Sequence, residues 1–77
     1  MNTQREIIAA IADYLGLSPA DLDRGSDLVE DLNLGPIEFN DLISHLSEKF
    51  NVILSSEDIS EAKTVEDLIV LIEDNLI

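Results

Sequence analysis

Seventy-seven residues carry 17 carboxylates against four Lys or Arg side chains, a formal net charge of −13, which sets aside nucleic acid and anionic membrane surfaces as partners because like charges repel. The absence of cysteine removes disulfides, thiolate metal sites and a thiol nucleophile. No apolar run approaches the ~20 residues of a membrane span, and the polar start Met1-Asn2-Thr3-Gln4-Arg5-Glu6, with the next apolar stretch broken by Asp13, does not read as a signal peptide.

These bounds lead to the expectation of one soluble, cytoplasmic domain spanning 1–77, without membrane insertion. A hydrophobic content of 45%, arranged periodically, argues against disorder.

The first predicted helix runs from Thr3 to Leu15. Thr3 and Glu6 have capping-box spacing, Ile7, Ile8, Ile11 and Leu15 form an apolar stripe, and Gly16 supplies the stop. From Leu17 to Gly35 the chain reads as a long connection. Ser18 followed by Pro19 predicts one short helical turn, and Leu22, Leu28, Leu32 and Leu34 are expected to pin the remainder to the core, since long structureless loops are uncommon in compact domains.

The second helix is predicted from Pro36 to Phe50. Proline suits the first helical position, where its missing N–H has no intrahelical partner to lose. Gly35 serves as the N-cap, with Leu34 and Phe39 at staple positions. Phe39, Leu42, Ile43, Leu46 and Phe50 make the inward stripe, while Ile37, Asp41, Ser44 and Glu48 fall on another side.

Asn51-Val52-Ile53-Leu54 is apolar but has no second strand to pair with, so it reads as an extended connector. Ser55 or Ser56 caps a short third helix from Glu57 to Ala62. Thr64 and Asp67 then form a capping box for the last helix, whose inner stripe is Val65, Leu68, Ile69, Ile72 and Leu76. The fold class expected is an all-α bundle of three longer helices and one short one, with a long loop between the first and second.

Three segments, in order, carry a family resemblance: the acidic run Asp27-Leu28-Val29-Glu30-Asp31-Leu32, the helix from Ile37 to Phe50, and the stretch from Ile59 through Thr64-Val65-Glu66-Asp67-Leu68. Together they span nearly the whole chain, and the chain resembles an acyl carrier protein. The resemblance implies the four-helix bundle of that family and a shuttle role. Acyl groups in the family ride a phosphopantetheine arm on the serine of an Asp-Ser-Leu helix start. Here the matching places read Gly35-Pro36-Ile37. Proline has no hydroxyl, so no phosphodiester can form at Pro36 and phosphopantetheine is not expected as a cofactor.

Other serines do not reproduce the order of acidic loop, serine, apolar residue and helix. Ser26 lies in mid-loop, Ser44 and Ser47 are inside the second helix, and Ser55 and Ser56 precede the third helix without an acidic run. The leading expectation is a carrier-like monomer, not an enzyme, that acts through contacts with enzymes bearing basic carrier-docking patches. The alternative is a working acyl or peptidyl carrier of fatty acid, polyketide or related biosynthesis, with its arm on another residue. In the family the outer face of the second helix makes such contacts, and here it presents Ile37, Glu38, Asp41 and Glu48. An apolar spot among carboxylates combines steering by charge with affinity from burial.

Two further constellations are weaker. The run from Asp21 to Leu32 fails the EF-hand pattern, with Gly25 fifth, Ser26 sixth and Leu32 where a bidentate glutamate belongs. Asp27, Glu30 and Asp31 are expected to form a solvated acidic loop with at most nonspecific divalent binding, and no metal site is expected. His45, the one histidine, stands four residues from Asp41, a spacing that allows a surface pair. Ile11, Leu42, Leu46 and Leu68 read as ordinary core.

Overall fold

The computed structural model describes residues 3–76, so Met1, Asn2 and Ile77 lie outside the described residues. Among the described residues the elements are α1 (Thr3–Leu15), a 3₁₀ turn (Pro19–Asp21), α2 (Pro36–Phe50), α3 (Ser56–Glu61) and α4 (Val65–Asn75). The order and type of these elements follow the periodicity of the sequence. Differences fall at helix ends, where assignments shift by a residue. Thr3, expected as the cap of α1, is itself helical. Ser55 is the cap of α3, its hydroxyl accepting the Asp58 N–H at 3.1 Å.

Helix α1 stops where glycine permits it. Gly16 takes a left-handed φ of 73°, the Leu17 N–H donates to the Ala12 carbonyl at 2.8 Å, and the Gly16 N–H donates to the Asp13 carbonyl at 3.2 Å. That pair of bonds is a Schellman ending. The turn sends Ser18 into the 3₁₀ segment, where its hydroxyl accepts the Ala20 N–H at 3.3 Å.

One core joins the helices. Ile7 and Ile11 of α1, Leu42 and Leu46 of α2, and Val65, Leu68, Ile69 and Ile72 of α4 are fully buried, with Ile8, Leu15, Phe39, Phe50 and Leu76 half-buried against them. Helix α1 packs on α2, α4 and the 3₁₀ turn. Ala10 and Ala12 of α1 are buried as well, on different sides of the helix.

The long connection is ordered by side chains and backbone together. Leu22, Leu28 and Leu34 are buried and Leu32 packs against the core. Three backbone bonds then strap the loop to the junction of α3 and α4. The Leu28 N–H donates to the Lys63 carbonyl at 2.8 Å, the Val65 N–H to the Ser26 carbonyl at 3.1 Å, and the Glu66 N–H to the Arg24 carbonyl at 2.9 Å. Asp27 and Thr64 form an isolated antiparallel bridge there. The run 51–54, expected as an extended connector, lies outside any strand but begins with a turn: Asn51 closes α2 in a left-handed conformation (φ 54°), and beyond it Val52 is buried and Ile53 92% exposed.

Candidate functional site

The start of α2 sets the site. Gly35, in an extended conformation, is the N-cap, and Pro36 holds the first helical position. The Glu38 carboxylate turns back to accept the Gly35 N–H at 3.3 Å, and the Phe39 N–H donates to the Gly35 carbonyl at 2.8 Å. This is half a capping box, because glycine has no side chain with which to answer.

Leu34 and Phe39, on either side of that start, line a cleft of about 560 Å³ with Val29, Ile59 and Ala62. Pro36 stands on the rim, and so does Lys63. The walls therefore come from the long loop, the first turn of α2 and the end of α3. Pairing of Leu28 with Lys63 across the strap brings these segments together.

Pro36 is exposed beside this cleft and offers only ring carbons. The residues present do not fit a phosphopantetheine group at this position: Pro36 has no side-chain hydroxyl to form the phosphodiester, and Gly35 supplies no carboxylate beside it. Two of the serines considered from the sequence serve elsewhere. The Ser47 hydroxyl donates to the Val52 carbonyl at 2.9 Å, and Ser55 caps α3. Ser60, which the sequence reading did not single out, lines the cleft, and its hydroxyl donates to the Glu57 carbonyl at 2.8 Å.

The outer face of α2 carries the residues expected there. Ile37 is 84% exposed, and Glu38, Asp41, Ser44 and Glu48 are all exposed. At about 100° per residue, Asp41, Ser44 and Glu48 fall within about 40° of Ile37, whereas Glu38 stands about 100° round the helix. Glu38 is also the carboxylate that closes the cap, so it belongs to the helix start as much as to the face.

Asp41 does not pair with His45. The Tyr14 hydroxyl donates to Asp41 Oδ2 at 2.6 Å and leans on the Glu38 carbonyl at 3.4 Å, while the Tyr14 and His45 rings lie 5.8 Å apart, tilted by 43°. The bond to Asp41 pushes the Tyr14 hydroxyl up to about 12, with burial and the Asp41 and Glu38 charges adding in the same direction. Tyr14 was not legible as a site residue, because no local spacing links position 14 to position 41. Val29, 58% exposed on the cleft wall, was likewise not singled out.

In the acidic loop, carboxylates are turned to backbone amides. Asp27 Oδ1 accepts the N–H groups of Val29 and Glu30, each at 2.9 Å, and Asp31 Oδ2 accepts the Asp27 N–H at 2.7 Å. Among the described residues no three His, Asp or Glu side chains converge as a metal site would need.

The described residues thus form a small all-α bundle with a cleft at the head of its second helix and an acidic outer face on that helix. The chain matches the family described as "Phosphopantetheine attachment site" over residues 5–72. An acyl carrier protein of Chlamydia muridarum is 36% identical over 74 residues, covering 96% of each chain. One from Helicobacter hepaticus is 29% identical over 75 residues, covering 97% of this chain and 99% of the relative. In structure, an acyl carrier protein from Thermotoga maritima superposes with a TM-score of 0.75 at 22% identity, covering 95% of this chain and 91% of the other. The chain belongs to the acyl carrier protein family.

Proposed function

We propose that this chain is a single carrier-type domain that is not loaded at Pro36 and is not itself a catalyst. It works as a cytoplasmic monomer by presenting the outer face of α2 to enzymes whose surfaces carry basic carrier-docking patches. The observation that carries the reading is Pro36 at the first position of α2, exposed at the cleft rim, where the family's nucleophilic hydroxyl is expected. The surrounding parts support it: the helix start is well made, and Ile37, Asp41 and Glu48 are exposed on one side. The net charge of −13 adds long-range attraction for a basic partner.

Incubation with coenzyme A and a broad-specificity phosphopantetheinyl transferase, followed by intact mass measurement, tests the reading. The natural chain is expected to keep its mass, and a Gly35→Asp, Pro36→Ser double variant to gain one phosphopantetheine group. A gain on the natural chain overturns the proposal. Docking is tested by charge reversal at Asp41 and Glu48, which is expected to weaken binding to the transferase, as is added salt.

A further inference from the structure

We propose that Tyr14 of α1 is a positioning residue of the docking face: its hydroxyl holds the Asp41 carboxylate of α2 in place for a Lys or Arg side chain on a partner protein. The proposal rests on the docking reading above and adds to it a residue from a second helix.

An exposed aspartate on a helix surface ordinarily samples several rotamers, and ordering it on binding weakens association. Asp41 is exposed, yet its Oδ2 is held by a 2.6 Å bond from Tyr14, within the short range typical of a hydroxyl on a carboxylate. The donor is itself restrained. Its ring is half-buried against the core, lies beside the His45 ring, and its hydroxyl also reaches the Glu38 carbonyl.

The chemistry of the donor matters. A lysine or arginine in place of Tyr14 would orient Asp41 but cancel its charge. A phenol orients the carboxylate and leaves its full negative charge for a partner. The hydroxyl also keeps its proton at neutral pH. Asp41 and Glu38 both disfavour the phenolate, His45 faces the ring from the same helix, and Asp13 is its neighbour on α1. The sequence separation of 27 residues means that the arrangement exists only when α1 and α2 are packed.

Binding of the natural chain, Tyr14→Phe, Asp41→Asn and the double variant to a phosphopantetheinyl transferase tests the proposal. Tyr14→Phe keeps the ring and is expected to weaken binding about two- to tenfold, with no further loss when Asp41 is already Asn. Ultraviolet titration of the single tyrosine supplies a second readout, with a midpoint near 12 in the natural chain that falls toward about 10 in Asp41→Asn. Unchanged binding by Tyr14→Phe overturns the positioning role alone, as does an equal loss in the Asp41→Asn background. An unshifted tyrosine midpoint does the same. Failure of the natural chain to bind the transferase, with the titration as expected, removes the docking reading and this proposal with it.

Discussion

At the residue scale, the helix starts show how local chemistry sets both stability and function. Pro36 fits its place: its φ is already helical and it gives up no backbone bond. Replacing it with serine loosens the unfolded chain without disturbing the fold, so Pro36→Ser is expected to lower stability by only about 0.5–1 kcal/mol in urea melts. A Cβ added at Gly35 would meet Glu38 Oε1 at 3.1 Å, the tip of a flexible side chain, which can swing aside. Asp67 shows the electrostatic side of a cap. Its Oδ2 accepts the N–H groups of Lys63 at 2.9 Å and Thr64 at 3.0 Å, and these bonds hold its carboxyl below the usual carboxylate range. On acidification the unfolded chain therefore takes up this proton before the folded one. The stabilisation is present above the ordinary carboxylate pKa of about 4 and is lost as pH falls through the lower folded value. Asp67→Asn is expected to flatten the loss of stability below about pH 4, measured as the urea midpoint against pH.

At the scale of elements, the long loop is a structural member. The Arg24 side chain reaches Glu66 on α4 from Nε and Gln4 Oε1 on α1 at 3.1 Å from its guanidinium, and Gln4 Nε2 donates to Glu73 Oε1 at 3.1 Å. The bond to Glu66 raises the arginine's hold on its proton, with further help from the charges of Glu66 and Glu73. One cation thus ties together α1, the loop and α4 beside the backbone strap. Removing it should loosen the strap first. In Arg24→Ala, the Leu28, Val65 and Glu66 amides are expected to exchange with solvent up to about fivefold faster, while the Val52 amide, bonded to the Ser47 carbonyl at the far end of α2, keeps its rate. Equal acceleration at Val52 would show that the arginine supports the whole bundle rather than the strap.

At the scale of the whole molecule, charge acts in two opposite directions. A net charge of −13 on 77 residues strains the folded state by self-repulsion and draws basic partners. Salt screens both. Raising sodium chloride from about 0.02 to about 0.5 M is therefore expected to raise the melting temperature by several degrees while weakening the proposed docking. A melting temperature that falls over this range would mean that attractive pairs such as Arg24–Glu66 outweigh the repulsion. The core beneath is neutral. Ile11, Leu42, Leu46 and Leu68 are fully buried, and no buried polar side-chain atom among the described residues lacks a hydrogen-bond partner.

The helices and the head of α2 were legible because their signals are local. Periodic apolar residues place Ile7 and Ile11, or Leu68 and Ile72, on one side of a helix. Caps at Gly35, at Ser55 or Ser56, and at Thr64 mark where α2, α3 and α4 begin, and the identity of Pro36 alone decides that no side-chain hydroxyl stands there. The buried leucines of the long loop were legible too, as apolar residues that a small domain cannot leave in water. What packing alone decided is where distant residues meet. The loop's backbone bonds run to Lys63, Val65 and Glu66, the cleft joins Val29 to Ile59, and Tyr14 rather than His45 takes Asp41. Spacing along one helix says which residues share its surface, but a neighbouring helix can present a better donor, and only the packed bundle determines which one arrives.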